Sequence, residues 1–278
     1  AMPSAKERKR LDGVLLHRFD ISICEAEDIL ALSQYDIVLV VDDSGSMGRR
    51  NVPRHKRKPG VEYPTRWQEL RETLAVLVEI GVCLDTDGID IHFMNMGSLN
   101  NVKSAKDEAL EATLARGPQS GTPLTETVQR VVAELPAGGG KPVIIVILTD
   151  GEPNGGPARF KEVVKRAIVE KGVRFRIMAC TGEETEIAWF NEFDKAFDEV
   201  DVTDDYENER EEVLRAGRVQ VFSRGDWIMK ALLGPIDPRF DAMDEPGPAP
   251  KTIPRAAPAR PVRAESGGGG PSRNCCLC

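Results

Sequence analysis

No apolar run in this chain is long enough to cross a bilayer. The longest, near 37–41 and 143–148, fall far short of the ~20 residues a spanning helix needs. The opening residues, Ala1-Met2-Pro3-Ser4-Ala5-Lys6, lead into no apolar segment of a secretory signal, and Ala1 ahead of Met2 reads as a trimmed or fragmentary start. Histidine is scarce: His17, His55 and His92 lie far apart, without zinc spacing. Cys24, Cys83 and Cys180 are scattered without pairing rhythm. They read as small buried apolar residues of a reducing compartment, not as a disulfide framework. Neither a Gly-x-Ser-x-Gly elbow nor a Walker A loop occurs, so serine-hydrolase and P-loop chemistry find no support.

What is present is ordinary globular material. The chain has 278 residues with 41% hydrophobic content, ample for a core. Its formal net charge of -8 and pI near 5.2 argue against a general nucleic-acid binder. The charge is uneven. Residues 192–212 are heavily acidic, whereas Arg49, Arg50, Arg54, Lys56, Arg57 and Lys58 make a basic loop. Trp67, Trp189 and Trp227 read as packing residues, and no internal repeat is evident.

The hydrophobic periodicity alternates strand and helix. Residues 20–33 predict a short amphipathic helix and 35–41 a strand apolar on both faces, followed by a long polar loop over 47–64. Thr65 and Gln68 have capping-box spacing and open a helix with Trp67, Leu70, Leu74, Leu77 and Gly81 on one face. A strand over 88–94, helices over 103–115 and 123–135, and a strand over 143–148 follow. Then come a helix over 157–171 ended by Gly172, a strand over 173–180, a helix over 184–198 and a strand over 200–203. Two more helices are expected over 206–217 and 225–233. This order implies an α/β, doubly wound, mostly parallel sheet flanked by helices, with ligands beyond the carboxyl ends of the strands. The expected organisation is a lead-in over 1–32, a main domain over 33–205, helices packed on it over 206–234, and a disordered Pro/Gly-rich tail over 235–278.

The first strand ends in Asp42-Asp43-Ser44-Gly45-Ser46. Asp42, Ser44 and Ser46, spaced by two, can turn their oxygens toward one point as the chain leaves the sheet, and oxygen ligands suit a hard cation such as Mg²⁺ or Mn²⁺. Two later segments carry matching residues: Ser120-Gly121-Thr122-Pro123 ahead of a helix, and Thr149-Asp150-Gly151 at the end of a second buried strand. Taken singly, Asp42 is a turn residue, Thr122 a helix cap and Asp150-Gly151 a plain turn. Jointly, Asp42-x-Ser44-x-Ser46, Thr122 and Asp150 resemble the metal-ion-dependent adhesion site of the von Willebrand factor type A family. The resemblance covers roughly residues 33 to 205. It implies an integrin-I-like domain whose upper rim holds one divalent ion and captures an acidic group of a protein partner. Asp43, at a variable position of the motif, is expected in solvent, and Glu152 in a solvated loop.

A protein-binding module is thus the leading expectation, with no enzymatic activity. A metal-assisted hydrolase on the same sheet, or a scaffold with a structural ion, are the alternatives. The basic loop is expected to wall the site and steer an acidic partner, anionic lipid being another target for it. Arg224-Gly225-Asp226 reads as a helix start and not as an adhesion tripeptide. The terminal Asn274-Cys275-Cys276-Leu277-Cys278 makes Cys275, Cys276 and Cys278 candidates for lipidation, implying a cytoplasmic protein held at the cytoplasmic face of a membrane.

Overall fold

The structure, a computed structural model, describes residues 18–52, 57–85, 87–136, 140–190, 193, 195–234 and 236–245. Its strands are β1 (Asp36–Val41), β2 (Ile89–Phe93), β3 (Gly97–Val102), β4 (Val143–Thr149), β5 (Arg174–Ala179) and β6 (Val200–Thr203). They form one six-stranded sheet in the order β3-β2-β1-β4-β5-β6. All neighbours run parallel except β2 and β3. The described helices are α1 (Ala26–Leu30), α2 (Arg66–Leu84), α3 (Glu108–Ala115), α4 (Leu124–Glu134), α5 (Pro157–Lys171), α6 (Glu184–Ile187), α7 (Tyr206–Ala216), α8 (Arg224–Leu233) and α9 (Pro238–Asp241).

The central strands are apolar throughout because both faces of the sheet are covered. Leu39, Val41, Ile144, Val146 and Leu148 join a core with Trp67, Leu70 and Leu74 of α2 and Trp227, Ile228 and Leu232 of α8. Val38, Val40, Ile145 and Ile147 pack instead with Leu124 and Val128 of α4 and with Phe160 and Val164 of α5. Successive strand residues therefore serve opposite layers, as the two-residue repeat of a strand requires. Two helix starts are fixed by adjacent residues. Thr65 and Gln68 close the reciprocal capping box of α2, and Pro157 occupies the first turn of α5. Gly172 ends α5 with φ 63°, a left-handed conformation in which an added Cβ is strained.

The order of strands has a consequence for function. From β1 the chain builds outward to β2 and β3 on one side, and from β4 to β5 and β6 on the other. The reversal lies between β1 and β4, and there the loops leaving the two strands part toward opposite layers. Such a switch point at the carboxyl ends is where open α/β sheets hold ligands. Asp42 follows β1 directly and Asp150 follows β4 directly.

Several elements differ from the sequence expectation. β3 was expected as no strand at all: Gly-Ser-Leu-Asn-Asn-Val lacks apolar alternation, and its pairing comes from backbone contact with β2 at the sheet edge. The helix expected over 103–115 starts at Glu108, where the Asp107 carboxylate accepts from the amides of Ala109 and Leu110. The helix expected over 20–33 is limited to α1 and a following 3₁₀ turn, Ala31–Gln34. The helix expected over 184–198 is interrupted: α6 ends at Ile187, a turn follows at 188–189, and Phe190 and Phe193 are again helical, packed with Phe160 and Trp189 in an aromatic cluster. The tail expected as disordered from 235 begins folded: α9 forms over Pro238–Asp241, with Phe240 and Met243 buried in the core, and residues 246–278 lie outside the described residues. Among the described residues, no helix is long and apolar enough to cross a membrane.

Candidate metal centre

The site is assembled from the turns after β1 and β4. The amide of Asp42 donates to the Leu148 carbonyl at 2.9 Å, so the β1–β4 ladder runs up to the candidate ligand itself. Beyond it the backbone turns sharply. The amide of Ser44 donates to Asp42 Oδ1 at 2.8 Å, an Asx-type turn that fixes the carboxylate. The Thr149 hydroxyl donates to Asp42 Oδ2 at 2.6 Å. A 3₁₀ turn, Gly45–Gly48, then directs the next hydroxyl back toward β4.

Three of the candidate side chains form a continuous line of oxygens. Ser44 Oγ and Ser46 Oγ are 2.9 Å apart, and Ser46 Oγ donates to Asp150 Oδ1 at 2.7 Å. Asp42, Ser44 and Asp150 are buried, while Ser46 is half-buried and open on one side. Burial, together with the neighbouring charge of Asp150, pushes the Asp42 carboxyl up to about 6. Two carboxylates so placed repel one another in a poorly solvated setting, and a divalent cation beside them relieves that repulsion. The donor set is all oxygen, two carboxylates with serine hydroxyls, and it fits Mg²⁺ or Mn²⁺. Among the described residues, no three His, Cys, Asp or Glu side chains gather to hold an ion, so any cation centre here depends on hydroxyl oxygens.

Thr122 is brought to the same rim, but its hydroxyl joins none of these hydrogen bonds. Its backbone is held: its carbonyl accepts from Leu124 and Asn154, and its amide donates to Asn154 Oδ1 at 3.2 Å. The preceding residues are laced to the turn after β1. Gly45 donates to the Ser120 carbonyl at 3.0 Å and Gln119 to the Asp43 carbonyl at 2.7 Å. Thr122 is half-buried, and among the described residues its hydroxyl makes no hydrogen bond to Asp42, Ser44, Ser46 or Asp150.

Asp43 is not in solvent as expected. It is fully buried, and its carboxylate accepts from both the amide and the side-chain amide of Asn95, whose Nδ2 also reaches the Gly121 carbonyl at 2.9 Å. Asp43 therefore ties the turn after β1 to the end of β2 and, through Asn95, to the loop bearing Thr122. Its partner is 52 residues away in sequence, so no local pattern announces this role. Glu152 is exposed, as expected.

Two further residues had no local signal. Arg66, the first residue of α2, is buried and donates through Nη1 to Asp150 Oδ2 at 2.7 Å. Its Nη2 pairs with Glu186 Oε2 at 2.7 Å, and Glu186 Oε1 accepts from Arg49 Nη1 at 2.9 Å. Of the basic loop, Arg49 is thus committed to Glu186. Arg57 donates to the carbonyls of Val52 and Arg50, and Arg50 Nη1 lies 3.4 Å from the Tyr63 carbonyl. The Lys58 backbone amide donates to the Tyr63 hydroxyl. Arg54 and Lys56, like Cys275, Cys276 and Cys278, lie outside the described residues.

No protein-family model and no curated protein matches the sequence. Solved structures resemble the chain in fold. The chain is similar to the PilB minor pilin from Streptococcus sanguinis, at 13% identity over 76% of this chain with a TM-score of 0.46. A single-substitution mutant of that pilin gives 14%, 77% and 0.49. The chain spans 62% and 63% of the length of those pilin chains. Manganese-loaded Plasmodium vivax TRAP protein is similar at 18% identity, over 64% of this chain and 71% of that one, with a TM-score of 0.39.

Proposed function

We propose that this chain is a metal-dependent protein-binding module of the von Willebrand factor type A kind, without enzymatic activity. In this reading Asp42, Ser44, Ser46, Thr122 and Asp150 hold one Mg²⁺ or Mn²⁺. The observation that carries it is the line of oxygens from Ser44 through Ser46 to Asp150, with Asp42 pressed close enough to feel the Asp150 charge. The ion, when bound, supplies a seat for an acidic oxygen of a protein partner. The chain's own residues do the rest. Asp43 and Asn95 brace the three loops against one another, and Thr149 holds the Asp42 carboxylate in its turn. Ser46 and Thr122, both half-buried, keep one side of the cluster open to solvent, which favours capture over a sealed structural ion.

The basic residues Arg49, Arg50, Arg54, Lys56, Arg57 and Lys58 bias acidic partners toward this rim, against the chain's net charge of -8. Lipidation at Cys275, Cys276 or Cys278 would tether the module to the cytoplasmic face of a membrane.

The decisive test is calorimetric titration of Mn²⁺ into the apo protein. One site per chain is expected, and Asp42→Ala abolishes it. Unchanged binding in that variant would sink the assignment. Affinity capture in Mg²⁺ beside capture in EDTA, read by mass spectrometry, then identifies the partner. Thr122→Ala is expected to lose that partner while remaining folded.

A further inference from the structure

A buried guanidinium touching a candidate cation ligand needs explaining, because its charge opposes the ion. Arg66 is only 3% exposed, and it sits where α2 begins. Its backbone amide donates to the Arg49 carbonyl at 2.8 Å, so the helix start is anchored on the turn that carries Ser46. Its side chain divides between two carboxylates at equal distance, Asp150 at 2.7 Å and Glu186 at 2.7 Å. Asp150 is consequently held by both oxygens: Oδ1 by the Ser46 hydroxyl, and Oδ2 by Arg66. Glu186 is different in kind. Its side chain is 27% exposed and shared with Arg49 and the Thr181 hydroxyl, so water and a second cation screen it.

The charge count follows. A divalent ion beside Asp42 and Asp150 alone makes a formally neutral centre. Arg66 brings a positive charge into the same set, and Glu186, partly exposed and shared with Arg49, offsets it only in part. We propose that Arg66 is a positioning residue that withholds part of the Asp150 charge from the ion, so that the site holds its ion less tightly and the loaded ion draws an anionic ligand more strongly. Glu186 is the counterweight that limits this effect. The inference rests on the metal reading above. It adds the residues of this chain, Arg66 and Glu186, that set how tightly the ion is held and how strongly it draws that acidic group.

The two residues give opposite signs. Removing the guanidinium returns the full Asp150 charge to the ion and tightens metal binding. Removing the Glu186 charge leaves Arg66 less compensated and loosens it. A merely structural ion pair would do neither in this pattern: breaking it from either side would act in the same direction, through lost order.

The experiment measures free Mn²⁺ by electron paramagnetic resonance against the full-length protein at constant ionic strength. Wild type, Asp42→Ala, Arg66→Gln, Arg66→Lys and Glu186→Gln are compared, with folding checked by circular dichroism. Arg66→Gln is expected to bind Mn²⁺ at least about fivefold more tightly, the equivalent of about 1 kcal/mol between unit charges a few ångströms apart in a partly buried setting. Arg66→Lys, which keeps the charge, stays within about threefold of wild type, and Glu186→Gln binds more weakly, by about threefold or more. Added acetate, after correction for its own Mn²⁺ binding, raises the apparent affinity of wild type more than that of Arg66→Gln. Wild type that binds no ion, or binds as Asp42→Ala does, removes the metal reading and this inference together. Wild type that binds one ion while Arg66→Gln and Glu186→Gln shift in the same direction, or stay within about twofold, overturns this inference alone. An equal acetate effect in wild type and Arg66→Gln does so too. Should Arg66→Gln not fold, the acetate effect in Glu186→Gln decides: a larger effect than in wild type supports the role of Arg66, and an equal or smaller one refutes it.

Discussion

Single carboxylates in this protein differ according to what replaces their water. Asp150 has a guanidinium and a hydroxyl; Asp43 has the two nitrogens of Asn95. Asp205 has much less. It caps α7 through the amide of Glu207, but its Oδ1 has no hydrogen-bond partner among the described residues. Burial, aided by the charges of Asp204, Glu69 and Glu207, pushes its carboxyl up to about 7. In the unfolded chain the same group lets go of its proton near pH 4. Between those values the folded state holds the extra proton. The contribution of Asp205 is therefore full at pH 4 and is lost as pH rises through 7. Asp205→Asn keeps the capping oxygen and removes the titration. Urea unfolding at pH 5 and pH 8 should show a smaller loss of stability across that interval in Asp205→Asn than in wild type. At pH 8 the variant should be the more stable, by up to a few kcal/mol at about 1.4 kcal/mol per pKa unit. An identical pH dependence in the two would remove Asp205 as its source.

At the scale of elements, the legible parts are those whose signals are local. The capping box Thr65–Gln68, Pro157 and Gly172, and the unbroken apolar run of β4 each fix a boundary from adjacent residues. The ligand candidates were legible because each sits at the end of such an element. β3 was not, since a polar edge strand is stabilised by the backbone of β2 and carries no pattern of its own. Arg66 and Glu186 were not, because a side chain at the start of one helix meets Asp150 across 84 residues of sequence. The Arg224-Gly225-Asp226 tripeptide starts α8 behind the Ser223 cap, as expected. Gly225 packs so closely on the Phe19 carbonyl that a Cβ has no room, and Asp226 is fully buried. Its carboxylate accepts from the amides of Ser22, Ile23 and Ser223, stitching the lead-in segment to α8. Asp226→Ala strands these donors in the interior and should cost about 2–4 kcal/mol by chemical denaturation. A cost below about 1 kcal/mol would mean that water replaces them and that the stitch is dispensable.

For the molecule as a whole, the proposed tether and the folded domain are separable claims. A protein ending at Asn274 loses Cys275, Cys276 and Cys278 and none of the described residues. Expressed in eukaryotic cells, it is expected to shift from the membrane fraction to the supernatant, while the full chain yields a C-terminal peptide heavier by at least one lipid. A single acyl chain holds a protein only marginally, so strong retention would indicate two. Equal distribution of the two forms, with a peptide of unmodified mass, would end the lipid proposal and leave the metal site untouched.

The loop after Ser46 is pinched where it leaves and returns: Arg50 bridges Thr65, Asn51 donates to the Pro64 carbonyl, and Arg66 donates to the Arg49 carbonyl. Among the described residues its far side, around the exposed Pro59-Gly60 turn, is closed by the Val61 amide on the Lys58 carbonyl and by the Lys58 amide on the Tyr63 hydroxyl. Lengthening a loop with a closed base adds only about 0.6 kcal/mol of closure entropy for each doubling. That makes Pro59-Gly60 a port for engineering. An epitope or fluorophore-bearing insert spliced there would travel with the module, giving a reporter for imaging or surface immobilisation that leaves Asp42, Ser44, Ser46 and Asp150 as they are.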